Sequence, residues 1–185
     1  VGDLLTFALG HVRTLGPGPG SRCGLRRGTS ATSWYELGCR LEASEPARAI
    51  AAYERAAAGC PGFADAHNNL GRLLHDAGSP GAAESSYRLA ICADPGVVLY
   101  WFNLGVAVED QGRRSEAIAA YERAIELAEQ SDAGGGDAGV ADAHYNLARL
   151  LELTGRQRGD ELMLRRAVRH LLRYRELTRR NARAH

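Results

Sequence analysis

The chain has 185 residues, of which 45% are hydrophobic and 24% charged, and its formal net charge is +1. That is enough for one domain with a sizeable core or for one continuous repeat array, and the near-zero balance supplies no global field toward nucleic acid or membrane. No run of about 18 apolar residues is present, so nothing reads as a membrane span.

The charges are unevenly placed. Residues 1–30 carry four arginines and one aspartate, residues 31–155 carry 18 acids and nine arginines, and residues 156–185 carry ten arginines and three acids. Lysine is absent, which together with the abundance of Ala and Gly reads as the codon bias of a GC-rich, bacterial genome. Cys23, Cys39, Cys60 and Cys92 include no CxxC pair and no metal-type spacing to a pair of histidines. The expectation is four reduced thiols used as small apolar residues, which points to the cytoplasm.

Residues 4–10 are apolar, but no basic stretch precedes them and no A-x-A site follows, so they do not read as a signal peptide. Residues 3–15 are expected to form one short helix. The chain opens on Val1 rather than Met, which leaves a processed and a truncated product both open. Residues 16–30, GPGPGSRCGLRRGTS, read as a disordered Gly/Pro linker.

From residue 31 the sequence repeats itself. Trp34-Tyr35-Glu36-Leu37-Gly38 returns as His67-Asn68-Asn69-Leu70-Gly71, Trp101-Phe102-Asn103-Leu104-Gly105 and His144-Tyr145-Asn146-Leu147-Ala148, with first residues 33, 34 and 43 apart. Ala49, Tyr53 and Ala56 return 34 residues on at Ala83, Tyr87 and Ala90, and again at Ala117, Tyr121 and Ala124. In each repeat the apolar positions fall at helical spacing on two segments, as in Leu70, Leu73 and Leu74 and then Ala83, Tyr87 and Ala90. Ala77-Gly78-Ser79-Pro80 and Gln111-Gly112-Arg113-Arg114 separate the two, with Gly as a left-handed helix stop. Pro46 and Pro80 suit a helix start, and Pro61 and Pro95 a position after a helix end. The small residues Gly38, Gly71, Gly105 and Ala148 let the first helix of a pair approach the second, whose tyrosine fills the space.

Two places depart from the period. Residues 130–139 are a Gly-rich excess, expected to loop out and leave the stacking intact. In the fourth repeat Gly155 is expected to mark the turn and 160–178 the second helix. That helix lacks the Ala-x3-Tyr signature, but Leu164, Val168, Leu171, Leu172 and Tyr174 form an amphipathic stripe that would make it a terminal cap.

These motifs resemble the tetratricopeptide repeat (TPR) family, whose 34-residue pattern sets a large residue, Leu, a small residue, Ala, an aromatic, Ala and Pro at fixed offsets. The resemblance covers 31–178 and implies an all-α, right-handed superhelical solenoid of about four helix-turn-helix hairpins, over 31–63, 64–97, 98–131 and 141–178. The Gly-rich insertion lies at 131–139, an N-terminal segment at 1–30 and a basic tail at 179–185. It further implies that the first helices line a concave groove, and that the residue before the repeat leucine faces it. Here that residue is Glu36, Asn69, Asn103 and Asn146. Three asparagines at one register, each with a donor and an acceptor, are similar to the asparagine ladder of TPR segments attached to glycosyltransferases, and would bracket the backbone of an extended peptide. Flanking pocket candidates are Tyr35, Asn68, Phe102 and Tyr145, then Cys39, Arg72, Val106 and Arg149, then Glu42, His75, Glu109 and Glu152. Arg72 and Arg149 would hold a carboxylate of the partner unless they pair with Asp76 or Glu152. The carboxylate clamp of some TPR co-chaperones is not met: Tyr35, Cys39, Leu99 and Asn103 stand at four of its positions, and only Asn69 matches.

No phosphate-cradling Gly motif, G-x-S-x-G or H-E-x-x-H is present, so neither an enzyme, nor a cofactor, nor a metal is expected. His67 and His144 read as packing residues. The arginines between 165 and 183 invite a nucleic-acid reading, but no aromatics interleave for stacking, and Arg near a helix C-terminus suits the macrodipole. The expected function is a non-catalytic scaffold binding a protein or peptide in the groove, without nucleic acid or membrane and with self-association left open. The alternative is the recruiting arm of a larger transcriptional regulator or glycosyltransferase.

Overall fold

The structure, a computed structural model, describes residues 30–130 and 138–184. The expected helix at 3–15, nearly all of the linker at 16–30 and most of the insertion at 131–139 lie outside them. The described residues form eight helices and no strand: α1 (Ala31–Leu41), α2 (Pro46–Gly59), α3 (Ala64–Asp76), α4 (Pro80–Ala93), α5 (Val98–Asp110), α6 (Arg114–Gln130), α7 (Ala138–Arg158) and α8 (Glu161–Ala184).

The boundaries follow local chemistry. Ser30 caps α1 by accepting the Ser33 N–H at 3.1 Å. Pro46 and Pro80 open α2 and α4, where a missing N–H costs nothing. At Gly78, Gly112 and Gly159 the backbone turns left-handed, with φ of 79°, 77° and 66°. In all three the next residue's N–H reaches five residues back, Ser79 to Leu74, Arg113 to Val108 and Asp160 to Gly155, which is a Schellman stop.

Consecutive helices pack antiparallel, α1 on α2, α3 on α4, α5 on α6 and α7 on α8, and each hairpin then stacks on the next through α2–α3, α4–α5 and α6–α7. Packing resumes across the insertion, with Ala128 of α6 against Val140 and Ala141 of α7. The first helices of successive hairpins also touch, α3 with α5 and α5 with α7, which puts them on the inner wall.

Inside each of the first three hairpins one contact recurs. The ring of Tyr53 lies on Gly38, that of Tyr87 on Gly71 and that of Tyr121 on Gly105, so close that a Cβ on the glycine would sit 2.6, 2.7 and 2.6 Å from the ring. Ala49, Ala56, Ala83, Ala90, Ala117 and Ala124, one turn either side of the tyrosines, are fully buried. The slot shared by Trp34, His67, Trp101 and His144 has a structural use. Nε1 of Trp101 donates to the Pro95 carbonyl at 3.0 Å, and Nε2 of His67 to the Pro61 carbonyl at 3.0 Å; a carbonyl only accepts, so His67 carries its proton on Nε2. Both tie the start of a hairpin to the turn before it.

Three expectations are corrected. Gly155 does not mark the fourth turn: α7 runs on to Arg158, and Gly155 is a buried residue in its last turn against which Leu164 packs, 3.0 Å from where a Cβ would stand. Close approach, not a left-handed backbone, is its use. The basic tail at 179–185 is no separate segment, because α8 continues as helix to Ala184. The thiols are not all reduced: Cys39 and Cys92 are free, but Cys60 is disulfide-bonded. Spacing along a chain does not show which distant segments fold together, and the argument from reduced thiols to the cytoplasm loses its basis.

In the fourth hairpin the repeat tyrosine is recovered in another place. Tyr174 of α8 meets Tyr145 of α7 at 5.2 Å between ring centres, as Tyr121 meets Phe102 at 5.9 Å. One turn away, His144 and His170 share a hydrogen bond of 2.9 Å between their Nδ1 atoms, which requires at least one of them neutral. Burial, then His170 and Arg173, push the pKa of His144 down to about 4.

Two outcomes follow in denaturant titrations. Gly105→Ala forces a methyl into a rigid ring and should cost about 1–3 kcal/mol in spite of alanine's better helix propensity; Gly139→Ala, where a Cβ meets nothing within 4 Å, should be neutral or stabilising by up to about 1 kcal/mol. For His144 the unfolded pKa of about 6.5 lies above the folded one, so the unfolded chain takes up the proton first. Stability should be flat above about pH 7 and fall by roughly 2 kcal/mol between pH 6.5 and 4, and His144→Phe should remove much of that slope.

Candidate binding groove

The inner wall is built from α1, α3, α5 and α7, and the expected site residues lie on them in two unlike halves. The asparagine column is engaged within the protein. Asn69, 5% exposed, donates to the hydroxyl of Tyr35 at 3.2 Å and to that of Tyr53 at 3.4 Å. Asn68, 3% exposed, donates to Oδ1 of Asn69 at 3.2 Å and accepts from Asn103 at 2.9 Å. Asn146 is half-buried and donates to the Tyr121 hydroxyl at 3.4 Å. Tyr35 is buried, its ring packed on Tyr53 and Phe63.

The two arginines are engaged as well. Arg72 pairs with Glu42 at 2.5 Å and with Asp76 at 3.4 Å, and Arg149 pairs with Glu109, not with Glu152, which holds Arg156 instead. These contacts compose one arrangement used twice. The Tyr53 hydroxyl donates to Glu42, Asn69 of the next hairpin donates to Tyr53, and Arg72, one turn further on, pairs with Glu42. The Tyr121 hydroxyl donates to Glu109 at 3.0 Å, Asn146 donates to Tyr121, and Arg149 pairs with Glu109. Burial first, then the hydrogen bonds to Cys39 and Glu42, hold Tyr53 well above its usual pKa, and burial does the same for Tyr121. Both hydroxyls therefore stay protonated and serve as donors. Between the second and third hairpins the quartet is absent: His75 and Val106 replace the acid and the arginine, and His75 reaches Asp110 at 2.7 Å.

The other half carries the second quartet and, beside it, apolar surface. Phe102 and Val106 on α5 are half-buried, and Tyr145 on α7 is 42% exposed. Past Tyr145 a cleft of about 470 Å³ opens between α7 and α8, lined by Tyr145, Ala148, Leu164, Ala167, Val168 and Leu171 together with the charged Arg149, Glu152 and Arg156. Sequence reasoning, looking only at first helices for the groove, did not assign the α8 residues to it. Among the described residues no group of three or more His, Cys, Asp or Glu is placed to hold a metal, and no helix is long and apolar enough to cross a membrane.

Two tetratricopeptide repeat family models match, over residues 40–98 and 96–173. The chain belongs to the tetratricopeptide repeat family. No curated protein matches it by sequence. Among solved structures this TPR array is similar to MamA, with a TM-score of 0.69 and 19% identity over 83% of this chain and 81% of the other. It is similar to the Sgt2 TPR domain from Aspergillus fumigatus, at TM-score 0.61 and 24% identity over 72% and 88%. It is also similar to the first TPR of Spaghetti (RPAP3), solved with the HSP90 peptide SRMEEVD, at TM-score 0.59 and 18% identity over 69% and 94%. At these identities the likeness is one of fold, and neither family match indicates an enzyme.

The buried and the half-buried asparagine should behave differently on truncation. Asn69→Ala strips the Tyr35 hydroxyl and the Asn68 amide of a partner and should cost roughly 1–3 kcal/mol in urea unfolding. Asn146→Ala, with one long bond and solvent at hand, should cost less than about 1 kcal/mol; the reverse order would contradict the clasp.

Proposed function

We propose that this TPR array is a non-catalytic scaffold that takes a segment of a partner protein on its inner wall, at the end formed by α5, α7 and α8. The observation that carries the reading is the change of character along that wall. From α1 to α3 the polar side chains are spent on one another, and buried, mutually bonded amides have little left to offer a ligand. From Phe102 onward the wall adds, beside the second quartet of Tyr121, Glu109, Asn146 and Arg149, apolar and aromatic surface next to an open cleft, and exposed apolar surface rimmed by charge is where proteins meet partners. The fold supports it as well, since the RPAP3 neighbour was solved with a peptide bound.

The asparagines and arginines proposed as peptide readers have a smaller part in this account. Arg72 and Arg149 would have to leave Glu42 and Glu109 before gripping a ligand carboxylate, and the exchange of one carboxylate for another yields little net energy. Asn69 and Asn103 shape the wall from behind it.

The test is calorimetry with a partner captured on the intact chain. Phe102→Ala combined with Tyr145→Ala should weaken binding at least tenfold, about 1.4 kcal/mol or more, with circular dichroism unchanged. Arg48→Ala, exposed on α2, should leave it as it was. Undiminished affinity in the double variant would exclude this end of the groove.

A further inference from the structure

We propose that the exposed flank of α8 docks an acidic amphipathic helix from a partner protein, its apolar side chains at one end of the flank and its carboxylates at the other. This deepens the groove reading and rests on it, because the cleft beneath Tyr145 is shared.

The flank is a single strip. Leu164, Val168, Leu171, Leu172, Arg175 and Arg179 follow one another at spacings of three or four residues, with one step of a single residue, and so line one side of the helix. Its first part is apolar and uncovered: Val168 is 57%, Leu171 43% and Leu172 58% exposed. Its second part is basic. Leu172, Arg175, Glu176, Arg179 and Arg180 lie together on this part of α8. Glu176 is taken by Arg173, while Arg175, Arg179 and Arg180 make no ion pair among the described residues. On the inner wall Arg72 and Arg149 have partners; on α8 three guanidinium groups stand beside apolar surface without an ion pair among the described residues. Complementarity therefore asks for carboxylates next to aliphatic side chains.

The form of the guest follows from hydrogen bonding. Mid-helix α8 has no free N–H or C=O to offer, and the inner-wall amides Asn103 and Asn146 already have partners. An extended peptide pressed into this cleft would bury backbone groups unpaired, whereas a helix satisfies its own. A second copy of this chain fits poorly: pairing α8 with α8 sets arginines against arginines, and among the described residues the large exposed hydrophobics outside α8 are Leu89, Tyr145 and Leu153, on no common acidic strip. Residues 1–30 carry the same positive sign as the flank. A bilayer is flat, and the apolar part of the strip borders a cleft.

The probe is a fluorescein-labelled synthetic peptide of about five helical turns, with leucines at i, i+4 and i+7 and glutamates in its last two turns, titrated with the intact chain by anisotropy. A matched peptide with arginines in place of the glutamates is the control. The expected result is that the acidic peptide binds at least tenfold tighter than the basic one and loses that margin at 1 M salt. Arg175→Glu with Arg179→Glu, both exposed, should reverse the preference, and Leu172→Asp should weaken both peptides. Equal binding of the two peptides, or an acidic preference that survives the charge reversal, overturns the proposal. So does binding to anionic phosphatidylserine vesicles in place of the peptide, or a dimer in sedimentation that the charge reversal abolishes. If the captured partner is lost with Phe102→Ala and Tyr145→Ala but kept with the charge reversal, the groove stands and the α8 site falls.

Discussion

A tyrosine ring lying flat on a glycine holds each of the first three hairpins together, and much of the inner wall depends on where that ring puts its hydroxyl. Because Gly38 and Gly105 have no Cβ, Tyr53 and Tyr121 reach across the first helix instead of stopping short of it. Their hydroxyls emerge at the seam with the next hairpin, within reach of Glu42 and Glu109 on one side and Asn69 and Asn146 on the other. A van der Waals contact inside one hairpin thus sets up polar contacts between hairpins. This matters for a repeat array, in which a hairpin alone cannot bury its apolar face and stability comes from neighbour interfaces.

Much of this was legible in the sequence. The 33- and 34-residue period, the turn glycines at 78 and 112 and the Ala-x3-Tyr signature all lead to helices that exist, because these features act locally or repeat. The asparagine column was read as facing the groove, and its amides bond within the protein. Position along a helix shows which face a side chain is on, not whether a neighbouring hairpin already holds it. Yet the signal was present. Asn69 and Asn146 are each followed three residues on by Arg, and the hairpin before each has Glu at the matching place, Glu42 and Glu109. Asn103 is followed by Val106, and the matching place holds His75. Acid and arginine come and go together across the seam, as partners do.

The fourth hairpin was the least legible, for a geometric reason. In an antiparallel pair a first helix lengthened by a turn must be matched by its partner before equivalent residues come level again. The tyrosine comes nine residues after the turn glycine in the second and third hairpins, Gly78 to Tyr87 and Gly112 to Tyr121, but fifteen after it in the fourth, Gly159 to Tyr174. Reading along the chain at fixed offsets therefore misses Tyr174 and takes Gly155 for the turn. Along the same helix the apolar strip leaves Val168 and Leu172 more than half exposed.

The division of labour along the wall follows from how its charges are matched. The first three hairpins are acidic overall, and the inner-wall arginines Arg72 and Arg149 sit in ion pairs with their carboxylates Glu42 and Glu109, each only 16% exposed. A charge so matched adds to the interface between hairpins and is poorly placed to choose among ligands, since any newcomer must displace an anion already held in position. Unmatched charge is concentrated on α8, on the longest helix and next to the largest exposed apolar side chains. Discrimination by charge in this TPR array therefore belongs at that end, with the buried amides and ion pairs of the earlier hairpins holding the curvature against which a guest helix would be measured.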